Sequence, residues 1–123
     1  MPKWKLLLPV GLALGILACA RVPEPPLRVR MEEGDRQRDW GVIYFQSWRQ
    51  AHQGDYLVLA RRLTADAVRR YFDVQVRMGH SYPDFYTIDR RRVESCLFLK
   101  EMEREAARYQ VRLDETVRVG CFD

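Results

Sequence analysis

Histidine is nearly missing from this chain: His52 and His80 are its only copies, and neither stands in a catalytic or metal-ligand pattern. The three cysteines make no CxxC or CxxCH pair, and no Cys/His spacing suits zinc. Glycine-rich phosphate loops and paired His/Glu metal motifs are also lacking. These absences leave no motif for metal or cofactor chemistry, so the expectation is no metal, no cofactor and no catalytic set. Lysine is scarce too, with 3 copies against 18 of arginine. A GC-rich genome favours arginine codons, and that explanation is preferred to phosphate binding. Long apolar runs are confined to one, Leu6 to Ala18. It is too short to cross a bilayer, which takes about 20 residues for roughly 30 Å.

What surrounds that run gives it meaning. Lys3 and Lys5 precede it, and it ends in Ile16-Leu17-Ala18-Cys19. A cationic start, a short apolar middle and small residues at the end make a secretory signal. The last four residues resemble the lipobox of bacterial lipoproteins. That resemblance implies that residues 1–18 are a signal peptide cut just before Cys19, whose thiol carries diacylglycerol with palmitate-type chains. The membrane is then a partner through that lipid. Ala20 is not the Asp that holds enterobacterial lipoproteins at the inner membrane, which points to the outer membrane, facing the periplasm. Two alternatives stay open: Ala18-Cys19-Ala20 also fits A-x-A cleavage, releasing a soluble chain from Arg21, and Trp4 could serve an uncleaved anchor. Residues 19–33 include Pro23, Pro25 and Pro26, a composition that favours an extended tether of about 3.1 Å per residue.

Removal of the signal changes the electrostatics. Lys3 and Lys5 leave with it, so 19 basic residues face 17 acidic ones and the net charge falls from +4 to about +2. Near-neutrality and export both argue against nucleic acid as a partner. With Cys19 lipidated, the odd cysteine count becomes the pair Cys96 and Cys121, which an oxidising periplasm would join.

Residues 34–123 read as one helical domain: mainly α, a small three-helix bundle with a short extended C-terminal segment closed by the disulfide. The first helix is expected from Asp35 to His52, with Trp40, Ile43, Tyr44, Trp48 and Ala51 on its core face. Asp55 is expected to cap a second, central helix over Tyr56–Met78. One stripe there runs Tyr56, Leu59, Ala60, Leu63, Ala67, Tyr71, Val74 and Met78, and a second runs Val68, Phe72 and Val76. Their combined width exceeds what a one-sided surface helix needs. The rest of that helix is charged, with Asp66–Arg70, Arg69–Asp73 and Asp73–Arg77 at ion-pair spacing. A third helix is expected from Asp89, as cap, to Gln110, burying Phe98, Leu99, Met102, Ala106 and Tyr109. Trp48, Ala51, Gly54, Tyr56 and Ala60 look like one helix-turn-helix unit of the tetratricopeptide type, but no second copy follows at about 34 residues. That resemblance marks only a helical hairpin.

The segment 79–92 holds the candidate surface. His80, Tyr82, Phe85 and Tyr86 fall in a loop marked by Gly79 and Pro83, and Arg90, Arg91 and Arg92 follow. Aromatic loops suit recognition, since tyrosine joins a large apolar area to a polar tip. Three arginines in a first turn oppose the helix dipole and suggest an anionic partner or a well-solvated start. The expected function is a non-enzymatic binding or assembly module for another envelope protein. The alternative is a periplasmic hydrolase or inhibitor-type effector using the same segment.

Overall fold

Helix formation begins at the last proline of the tether. In the computed structural model, which describes residues 26–79, 84–114 and 120–121, Pro26 is the N-cap of α1, Leu27–Ala51. A proline suits that position, because the first helical turn needs no N–H from it. The helix therefore starts eight residues before the expected Asp35, and residues 27–33 are helix, not extended tether. Leu27 and Met31 explain the extension, since both pack on the cluster of Ala67, Tyr71, Val74 and Ile88. The signal, Cys19 and the rest of the tether lie outside the described residues.

α1 ends at His52, whose left-handed backbone (φ 51°) lets its N–H reach the Trp48 carbonyl at 2.7 Å. Gln53 then caps α2, Gly54–Met78. Asp55 sits within the first turn instead of capping it. α3 spans Phe85–Arg108 with Asp84 at its cap position, five residues ahead of the expected cap Asp89. Asp89 is thus inside the helix, where it accepts hydrogen bonds from Gln75 and Arg92. Residues 111–114 have no regular secondary structure, and no strand occurs among the described residues. Cys96 and Cys121 are joined, with their Cα atoms 5.7 Å apart. None of the described helices is long and apolar enough to cross a membrane.

α2 is the central helix, as its wide apolar surface predicts, but which residues face inward differs from expectation. α1 buries Gly34, Gly41, Phe45 and Trp48. Trp40 and Ile43, expected in the core, are 50% and 47% exposed. Glycine decides this. A Cβ on Gly41 would lie 2.5 Å from Thr64 Oγ1, and one on Gly34 would lie 3.0 Å from the Tyr71 ring. The two helices meet so closely there that only hydrogen fits, which turns α1 about its axis and swings Trp40 and Ile43 outward. On α2, Phe72 and Val76 are likewise exposed, while Leu57, Thr64 and Gln75 are buried. On α3, Ile88, Arg92 and Ser95 join Leu99, Met102 and Ala106 inside, and Tyr109 is exposed.

Charge holds the helices in register. Arg30 donates to Asp73 at 2.7 Å and Arg70 to Glu33 at 2.7 Å, both linking α1 to α2. The expected Asp73–Arg77 pair is present at 3.3 Å, whereas Arg70 reaches across to α1 in preference to Asp66. α1 and α3 meet through side chains: the Phe45 and Phe98 rings pack edge-on, and Trp48 Nε1 donates to Glu105 Oε2 at 2.9 Å.

Candidate functional site

The predicted segment now divides into parts with different fates. His80 and Tyr82 lie outside the described residues. Phe85 and Tyr86 belong to the first turn of α3, not to a loop; Phe85 is half-buried and Tyr86 is 71% exposed. Arg90 is exposed. Arg91 turns inward and donates to Asp35 Oδ2 at 2.8 Å. Arg92 is buried, and its guanidinium donates to Gln75 Oε1 at 2.8 Å, to Asp89 Oδ1 at 2.8 Å and to the Gly120 carbonyl. The arginine cluster is therefore not one cationic surface. Two of its three charges are spent on the fold, because a buried guanidinium must be paired and its donors filled.

Arg92 closes the floor of an open groove of about 660 Å³ between α2 and α3. Phe72, Val76 and Phe85 form its apolar walls, with Gln75, Asp89, Gly120 and Cys121 around them. Gln75 Nε2 also donates to Asp89 at 3.0 Å, so the polar groups satisfy one another. Among the described residues no buried side-chain nitrogen or oxygen lacks a partner. A second groove, of about 550 Å³, continues over the same Phe72 and Val76 towards Gln37, Arg69 and Asp73. What such a surface offers chemically is a place for an apolar side chain.

A half-buried ionisable cluster around the fully buried Tyr71 lies where the three helices converge. Tyr71 Oη donates to Asp35 Oδ1 at 2.5 Å, and Asp35 also pairs with Arg91 and with Arg38. Burial, and then the hydrogen bond to the Asp35 carboxylate, pushes the Tyr71 phenol far above its ordinary value. A phenol held neutral in this way is a fixed donor that orients Asp35. No group of three or more His, Cys, Asp or Glu residues suited to a metal ion occurs among the described residues. His52 lies at the opposite end of α2 from Gly79, stacked on Tyr109 with ring centroids 5.0 Å apart.

The C-terminal tail is fastened at two places. Arg61, itself buried, donates to the Asp114 carbonyl at 2.5 Å, and Arg62 pairs with the Asp114 carboxylate. Arg92 and the disulfide hold Gly120 and Cys121. Gly120 lies against Val68 and Phe72, where an added Cβ would come within 2.8 Å of Phe72.

An exposed apolar ridge lies outside the segment singled out by the sequence. Trp40 and Ile43 stand exposed on α1, with the half-buried Tyr44 beside them: the Trp40 and Tyr44 rings are 6.1 Å apart and Tyr44 stacks on Tyr56 at 6.3 Å. The signal that could have found it is the pair Gly34 and Gly41, seven residues apart on a different face. Hydropathy scores glycine as neutral, yet paired glycines mark where a neighbouring helix comes close. No family model matches this chain, and no curated protein or solved structure does.

Proposed function

We propose that this protein is a small lipoprotein of the bacterial cell envelope whose helical domain binds another envelope protein and supports its assembly. Cys19 carries the lipid at the outer membrane, the domain faces the periplasm, and neither nucleic acid nor a cofactor takes part. The layout is that of small helical lipoproteins that pilot or stabilise secretion and pilus components, an analogy at the level of architecture. The observation that supports binding is the ridge of Trp40, Ile43 and Tyr44, with Trp40 and Ile43 at 50% and 47% exposure. Aromatic anchors of this kind dominate protein–protein interfaces. Phe85, half-buried on the α2–α3 groove, gives a second contact.

The test is site-specific photo-cross-linking in intact cells. A photoreactive phenylalanine at Trp40 or Ile43 should give a discrete adduct with an envelope protein, and one at the exposed Arg62 should not. Equal labelling at all three positions would remove the binding surface. Mass spectrometry of the native protein tests the anchor separately: Cys19 should be diacylated or triacylated. An unmodified chain starting at Arg21 would end the lipoprotein reading.

A further inference from the structure

The outer back of α3 carries a pattern that neither the core nor the partner ridge uses. Tyr86, Arg90, Val93, Leu97, Lys100, Arg104 and Arg108 follow one another at steps of four, three, four, three, four and four. Such spacing places them in one strip along the helix. The strip faces away from Ile88, Leu99, Met102 and Ala106, which are buried on the other side. Tyr86 is 71%, Val93 40% and Leu97 60% exposed. The four cations are exposed as well, and Arg90, Lys100 and Arg104 make no ion pair with any described residue. No acid belongs to the strip. The nearest acids flank it on either side: Asp89, bonded to Arg92 at 2.8 Å, on one, and Glu101, bonded to Arg49 at 2.5 Å, with Glu94 beyond it on the other.

From this we infer that the back of α3 docks on an anionic phospholipid surface, laying the domain along the membrane. An apolar line flanked by long cations is the chemistry of a helix lying in the headgroup region. Val93 and Leu97 sink towards the acyl boundary while arginine and lysine stems reach sideways to lipid phosphates. Tyr86 sits with its hydroxyl at headgroup level. The strip runs for about 33 Å along a convex helix back. A deformable anionic surface matches that shape; a protein partner would need a concave acidic groove of the same length. The inference rests on the envelope reading for the presence of the bilayer and on α3 alone for the chemistry.

The protein purified as cells make it is incorporated into vesicles of phosphatidylcholine, or of equal parts phosphatidylcholine and phosphatidylglycerol, and exposed to hydroxyl radicals. Oxidation of Tyr86 and Leu97 should fall in the phosphatidylglycerol vesicles and not in phosphatidylcholine alone. Raising salt to about 1 M, where screening acts within about 3 Å, should restore it. Replacing Arg90, Lys100 and Arg104 together by glutamine should weaken the docked state roughly 100-fold, about fivefold per cation. All three are exposed, so helix content by circular dichroism should not change. Equal oxidation in the two vesicle types, or protection that the triple variant keeps, would overturn the inference. Protection that needs added envelope protein instead of lipid would replace it with an acidic protein partner. The mass of the Cys19 peptide from the same sample reports on the anchor independently, so failure of the tether and failure of the docking face are told apart.

Discussion

Gly41→Ala is the substitution that tests the helix crossing most directly. In an exposed helix the change would stabilise by about 1 kcal/mol, because alanine has the higher helix propensity. Here the new methyl would sit 2.5 Å from Thr64 Oγ1 and 3.3 Å from the Ala60 carbonyl oxygen. Thr64 is fully buried, and its hydroxyl donates to that same carbonyl at 2.8 Å. Rotating Thr64 away would forfeit a hydrogen bond of about 1 kcal/mol, and a β-branched side chain in a helix has few other rotamers. Moving α1 off α2 would instead loosen the contacts of the whole crossing, and overpacking of this kind costs about 1–3 kcal/mol. After the propensity gain, a net loss of about 1–2 kcal/mol is expected. Urea unfolding followed by circular dichroism and tryptophan fluorescence measures it. The decisive comparison is the same change in a Thr64→Ala background, where the nearest oxygen is gone and Gly41→Ala should become neutral or stabilising. A stabilised single variant, or a penalty undiminished in the double variant, would refute the account of why Trp40 and Ile43 face outward.

Tyr71→Phe should cost about 1 kcal/mol at neutral pH by removing the donor to Asp35. Because the folded phenol titrates far above its unfolded value of about 10, wild-type stability should hold below that pH and then fall by about 1.4 kcal/mol per pH unit. Urea midpoints across the alkaline range should therefore drop more steeply for wild type than for Tyr71→Phe, and parallel curves would count against it. Arg92→Met leaves the Gly120 carbonyl and Gln75 Oε1 without their donor and should cost about 3 kcal/mol; a variant within experimental error of wild type in chemical denaturation would show the network to be idle. Reducing the Cys96–Cys121 bridge, which spans a sequence separation of 25, should remove about 3.5 kcal/mol in the chain-entropy model. The Cys96→Ser/Cys121→Ser variant should then match the reduced protein and ignore further reductant.

Three helices, their order and the cysteine pairing are legible in the residues alone. Apolar spacing marks a helix whatever it packs against, and if Cys19 carries the proposed lipid, the two remaining thiols can join only with each other. The breadth of the apolar surface on 56–78 marked the central helix for the same reason, since only a helix covered on both sides needs so much. Which face of each helix turns inward is a different matter. Hydropathy placed Trp40 and Ile43 in the core, but the glycines at 34 and 41 draw α2 onto another face of α1, and that contact depends on both helices at once. Arg91 and Arg92 look like one cationic cluster with Arg90 in a linear reading. In three dimensions a step of one residue turns the side chain by about 100° around the helix axis. Arg90 therefore meets solvent, Arg91 meets Asp35, and Arg92 enters the network that holds Gly120. The sequence by itself determined that there are helices and how many, and named Cys96 and Cys121 as the pair once Cys19 was set aside. Only the tertiary structure decided which apolar and cationic groups remain outside, because burial is a property of pairs of surfaces.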